Sequence, residues 1–74
     1  MRLAMIFGAN VRALRLAKGV TQEALADEVG LAVTYLGQIE RGSRNPTLDV
    51  VERCAASLGV EVLRLLTAQE GAEG

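Results

Sequence analysis

The sequence predicts an all-α domain of five helices, and three observations carry that prediction. Half of its 74 residues are hydrophobic, yet it holds only one Tyr and one Phe, so the core must be built from Ala, Leu and Val, the usual material of a helical bundle. Apolar residues recur at three- and four-residue spacings in one segment after another. Between Thr21 and Gly42, in TQEALADEVGLAVTYLGQIERG, two such patterns flank a short break that sets their crossing angle, the pattern of a helix-turn-helix. A chain of this length forms one small domain, 1–74, whose core is marginal by itself.

The first helix is expected over about 6–18, where Phe7, Val11 and Leu14 share one face and Gly19 ends the pattern; Asn10, Ala13 and Ala17 face elsewhere. Thr21 suits the N-cap of a second helix over 22–29, and Glu23 lies in its first turn, where a carboxylate complements the helix dipole. Leu25, Ala26 and Val29 form its inner face, with Ala26 small where the helices approach closely. Gly30 breaks the helix in a left-handed conformation that suits Gly, and Leu31 plugs the turn. The third helix runs over about 33–41, with Leu36 and Ile39 inward. Ala32 before it has no side-chain oxygen to cap with, a loss of about 1 kcal/mol that predicts fraying or a late start.

Gly42 to Pro46 reads as a loop, because Pro46 disfavours helix at Asn45. Thr47 can cap a fourth helix over 48–58 with Leu48, Val51, Cys54, Ala55 and Leu58 inward, and Gly59 stops it. In the last helix, about 61–67, Val62, Leu65 and Leu66 suffice for the core stripe. Leu63 is then surplus, and with Val60 it marks an apolar patch that a second copy of the chain would cover. Residues 69–74, QEGAEG, read as a frayed tail.

The formal charge is −1, but its distribution is uneven. Arg2, Arg12, Arg15 and Lys18 precede the first acidic residue, Glu23, whereas all nine acidic residues share the remainder with Arg41, Arg44, Arg53 and Arg64. If the start of the chain lies beside the Arg41 to Arg44 loop, one surface is basic enough for phosphate contact. Other function classes fail on inventory. There is no His, the single Cys54 occupies a core position without a partner at metal-ligand spacing, and no Gly-rich phosphate loop follows a strand. Neither catalysis, metal nor cofactor is expected. Glu23, Asp27 and Glu28 read as a solvated helix face. With no leader and no spanning apolar run, a cytoplasmic protein is expected.

From about Phe7 to Leu66 the chain resembles the Cro and phage-repressor type of regulator, the XRE family, through the framework FGANVRALRLAKGVTQEALA and the run TYLGQIERGSRNPTL. Within that family it is similar to restriction-modification controller proteins. The resemblance implies a lambda-repressor-like fold and a homodimeric, sequence-specific transcription regulator. Its operator would be near-palindromic, with half-sites about one DNA turn, roughly 34 Å, apart. It places the 33–41 helix in the major groove of double-stranded DNA, with Val33, Thr34 and Gln38 facing base edges. Gln38 could read adenine through its donor and acceptor, for about 1 to 3 kcal/mol of discrimination, while Val33 could meet a thymine methyl.

Gln22, Tyr35, Ser43, Arg44 and Asn45 would contact the DNA backbone, and Arg15 would pair with Glu40 to hold the reading helix on the scaffold. The controller pattern has a polar cap and a basic or polar reader where Ala32 and Val33 stand, which shifts weight toward DNA shape. RNA polymerase is a further expected partner, and no small-molecule ligand is expected. The competing reading is an antitoxin of the same fold that binds a toxin as well as its own operator.

Overall fold

A computed structural model describes residues 2–69. Those residues form five α-helices and no strand: α1 Arg2–Ala17, α2 Gln22–Val29, α3 Val33–Glu40, α4 Leu48–Leu58 and α5 Val62–Leu66. α1 packs on α3, α4 and α5, while α2 packs on α3 and α4. Phe7, Val11, Leu25, Leu36, Ile39, Cys54 and Leu65 meet at the centre with almost no exposed surface. Each helix contributes at least one of these, so none of the five can bury its apolar face alone.

α1 begins four residues before the expected start, for a reason visible in its packing. Ala4 is buried one turn ahead of Phe7 and Gly8, so the inner stripe extends through the apolar N-terminal residues, which are good helix formers. The α1–α3 approach is closest at Gly8, where a Cβ would collide with the backbone carbonyl of Ile39. Ala26 on α2 is buried as well.

Asn10 does not face away from the core. It is 4% exposed, and its amide Nδ2 donates to the carbonyls of Arg64, Leu65 and Thr67 at 3.3, 2.9 and 3.0 Å. These are carbonyls at the end of α5 that lack partners within the helix. A polar residue thus docks the shortest helix onto the longest one. A second correction concerns Leu48, which is 80% exposed, while Val50 takes its place in the core. Leu48 stands in the first turn of α4 at the rim of an apolar groove of about 390 Å³, lined by Leu3, Phe7, Pro46, Val51 and Leu66.

The caps explain where the helices stop and start. Thr21 Oγ1 accepts from Ala24 N at 3.0 Å and Thr47 Oγ1 accepts from Val50 N at 3.2 Å. α3 begins at Val33 despite Ala32, which makes no side-chain cap hydrogen bond; the expected late start does not occur, because Leu36, Gly37 and Ile39 are pinned in the interior. α3 ends at Glu40, with Arg41 as its cap. α5 is shorter than expected at both ends, with Glu61 and Thr67 flanking it. Of the tail, only Gln69 lies within the described residues, its amide donating to the Thr67 carbonyl at 2.7 Å.

Candidate nucleic-acid interface

The turn between α2 and α3 is fixed by backbone geometry. Gly30 has φ 87°, in the left-handed region, and both Gly30 N and Leu31 N donate to the Ala26 carbonyl at 2.8 Å. Leu31 is half-buried against the core. Arg53, from α4, donates through Nη1 to the Val29 carbonyl at 2.9 Å, satisfying the end of α2, and pairs with Asp49 at 3.1 Å. A cation at a helix C-terminus also complements its dipole.

α3 presents two chemically distinct faces. Leu36, Gly37, Ile39 and Glu40 are buried, whereas Val33 is 40% exposed, Thr34 and Ala32 are exposed, and Tyr35 and Gln38 are half-buried. The buried face is held by a charge network. Arg15 Nε donates to Glu40 Oε2 at 2.7 Å and Arg15 Nη2 to Glu40 Oε1 at 3.0 Å, a two-pronged pair. Arg15 Nη1 donates to the Val20 carbonyl at 2.9 Å, and Gln22 Nε2 donates to Glu40 Oε1 at 2.9 Å.

One carboxylate therefore joins α1, the head of α2 and the end of α3. The hydrogen bonding of Arg15 to the Glu40 carboxylate raises the Arg15 pKa above its ordinary value, outweighing the opposing effect of burial. With Arg15 enclosed in this pair, its charge is withdrawn from the outer surface.

The outer face is shaped by the loop that follows α3. Ser43 N and Ser43 Oγ both donate to the Gln38 carbonyl, at 3.0 and 3.1 Å. Arg44 Nη1 donates to the Gln38 side-chain oxygen Oε1 at 2.9 Å, and its guanidinium carbon lies 5.0 Å from the centre of the Tyr35 ring. A cation over an aromatic face is attracted by the ring quadrupole. Asn45 is exposed beside this group. The start of α1 lies against the loop, since a Cβ on Gly42 would meet Met5. Arg2, one turn before Met5, is exposed, as are Arg41 and Arg44 at the loop.

The structure thus gathers Val33, Thr34, Tyr35, Gln38, Ser43 and Arg44 along α3 and its following loop, with Gln22 tethered behind them to Glu40. Val60 and Leu63 lie elsewhere: Val60 is packed in part against the core, and Leu63 on α5 is 68% exposed. Sequence reasoning missed the Gln22 to Glu40 bond and the Arg44 to Gln38 bond. Each depends on how the loop and helices fold back, which no local spacing encodes. Among the described residues there is no cluster of acidic, Cys or His side chains able to hold a metal ion, and no helix long and apolar enough to cross a membrane.

This arrangement agrees with comparisons to known proteins. A helix-turn-helix family profile, HTH_3, matches residues 11–65, which is most of the chain and includes the whole α2–turn–α3 unit. The chain belongs to the HTH_3 family. Among HTH_3 relatives, it is similar to the control protein C.BamHI of Bacillus amyloliquefaciens, at 46% identity over 84% of this chain and 78% of that protein. It is also similar to the control protein C.SmaI of Serratia marcescens, at 41% identity over 93% of this chain and 82% of that protein.

Its fold matches the crystal structure of the restriction-modification controller protein C.AhdI from Aeromonas hydrophila with a TM-score of 0.82 at 40% identity. That match covers 88% of this chain and 98% of the other. Within HTH_3, then, the chain is a DNA-binding transcription regulator of the XRE type, and its family is one of regulators rather than enzymes.

Proposed function

We propose that the protein acts as a homodimer on a near-palindromic operator, as the controller of a restriction-modification system. The observation that carries this reading is the division of α3: its inner face is locked by the core and by Arg15 and Glu40, while Val33 and Thr34 stand free on the opposite side. A helix held rigidly with its N-terminal side chains exposed is what major-groove reading requires. Val33, Thr34 and Gln38 read base edges. Gln22, Tyr35, Ser43, Arg44 and Asn45 engage the sugar-phosphate backbone, and their polar groups supply position rather than sequence information.

Dimerisation follows from the exposed Leu63 and from the marginal size of the core, which pairing would stabilise by mass action. The twofold would place the two α3 helices about one DNA turn, roughly 34 Å, apart. The similarity to C.BamHI and C.SmaI supports the controller assignment. Selection of bound duplexes from a random pool tests the reading: two inverted half-sites are expected, and recovery of no enriched motif would overturn it. A restriction endonuclease or methyltransferase gene beside this one is the expected genomic context, and a small toxin gene there would contradict the controller assignment.

A further inference from the structure

We infer that Asn10 fixes the spacing between half-sites that the dimer accepts, by holding α5 at one angle on α1; this rests on the homodimer and major-groove pose proposed above. α1 lies between the two helices that set the spacing. Gly8 and Arg15, two turns apart, share one face of α1, and that face meets α3: a Cβ on Gly8 would collide with the Ile39 carbonyl, and Arg15 is bonded to Glu40. Asn10, two residues after Gly8, stands about 200° around the helix from it, on the opposite side. There its Nδ2 donates to the carbonyls of Arg64, Leu65 and Thr67 at 3.3, 2.9 and 3.0 Å. Carbonyls only accept, so the nitrogen of the amide and not its oxygen must face them.

α5 needs this hold. It has five residues, and Leu65 alone is fully buried, with Val62 and Leu66 partly packed on the core. Apolar contact is non-directional, so this packing keeps α5 in place without closely fixing its angle. Hydrogen bonds are directional, and the three from Asn10 reach carbonyls on both sides of the Leu65 anchor. Among the described residues, no other side-chain hydrogen bond ties α5 to another helix. Leu63, two residues before Leu65 and so on the far side of α5, is 68% exposed and carries the contact in the proposed dimer. With each α3 about 17 Å from the twofold axis, half of the roughly 34 Å between half-sites, a tilt of about 12° at α5 moves α3 by about 3.5 Å, one base pair. Asn10 is thus a positioning residue that touches no DNA yet holds the register between the two reading helices.

The test uses the half-site that wild type selects from a random pool, placed as inverted pairs with the spacer lengthened or shortened by one base pair. Wild type should prefer its best spacing by about tenfold or more, because a rigid dimer must deform a misfitting duplex. Asn10→Ala should reduce that preference to about threefold or less, while each base change within a half-site costs the same factor as in wild type. The variant should keep its helical circular dichroism, since the bonds to the Arg64 and Thr67 carbonyls are only part-buried and water can take the place of the amide. Asn10→Ser, which keeps one donor at most, is the second variant if Asn10→Ala does not fold, and the same relaxation is expected of it. Thr67→Val removes a hydrogen bond within the α5 end, from Thr67 Oγ1 to the Leu63 carbonyl at 2.7 Å, and should retain the wild-type spacing preference.

A folded Asn10 variant as strict about spacing as wild type overturns the inference, as does loss of folding in both Asn10 variants, which assigns Asn10 to stability alone. Equal relaxation by Thr67→Val overturns it too, because spacing would then follow the stability of α5 in general. These outcomes leave the operator reading intact. Wild type that selects a lone half-site or no motif removes the operator reading itself, and this inference with it.

Discussion

Replacing Glu40 with Ala should be the most damaging single change at the α1–α3 junction. The carboxylate accepts three hydrogen bonds, two from Arg15 and one from Gln22, at 2.7 to 3.0 Å, and Arg15 is 7% exposed. Its removal leaves a buried guanidinium with only the Val20 carbonyl as acceptor. Breaking a buried pair in this way costs about 3 to 5 kcal/mol, mostly because the surviving charge is uncompensated. Small domains have a total stability of about 5 to 15 kcal/mol, so the variant should lose a large part of its folded population under mild denaturant. Urea unfolding followed by circular dichroism measures this directly. The double variant Arg15→Met with Glu40→Leu removes both charges and refills the space. It should recover stability to within about 1 kcal/mol of wild type, since well-packed apolar replacements of buried pairs are often neutral. A Glu40→Ala cost below about 1 kcal/mol, or a double variant as unstable as the single one, would refute the reasoning that the uncompensated charge is the source of the loss.

Four other substitutions probe separate features. Gly8→Ala gains about 1 kcal/mol of helix propensity, but its Cβ meets the Ile39 carbonyl, which is backbone and cannot rotate away. Overpacking at the upper end of about 1 to 3 kcal/mol should win, with a fall in Tm of several degrees; an unchanged or higher Tm contradicts it. Ala32→Ser supplies the cap that α3 lacks and should add about 1 kcal/mol, or about 4 to 8 °C in Tm for a domain of this size; an unchanged Tm contradicts it. Burial pushes the Cys54 thiol from 9.0 up to about 11. The unfolded chain therefore releases this proton at lower pH than the folded one, and the stabilisation is complete below 9.0 and is lost as pH rises toward about 11. Relative to Cys54→Val, wild type should lose roughly 2 to 3 kcal/mol across that window, and parallel pH profiles would contradict this. Leu63→Glu should shift sedimentation toward monomer if α5 carries the dimer contact, and an unchanged association constant removes Leu63 from it.

Much of the fold was legible in the sequence because periodicity and caps act locally. Thr21, Gly30 and Thr47 mark helix ends through residues one turn away, and Leu25, Val29, Leu36 and Ile39 fall on the faces their spacing requires. Asn10 was misread because a polar side chain is ordinarily solvated, and only the carbonyls of Arg64, Leu65 and Thr67, more than 50 positions later, give it a reason to be inside. Leu48 was misread for the opposite reason: its spacing fits the core stripe, but the first turn of α4 emerges from the Pro46 loop beyond the reach of its neighbours. At the candidate interface, the helix and its exposed head could be read from pattern alone. The fixed states of Gln22 and Gln38 could not, since their partners Glu40 and Arg44 are brought to them by the crossing of α2 on α3 and by the turn at Gly42.

The most direct test of the central claim is a crystal structure of the protein on a duplex recovered by selection. Two copies related by a twofold are predicted, each with α3 in a major groove, Val33 and Thr34 against base edges, and centres about 34 Å apart along the DNA. A single copy on the duplex, or DNA seated on a face other than that of α3 and its loop, would contradict the account.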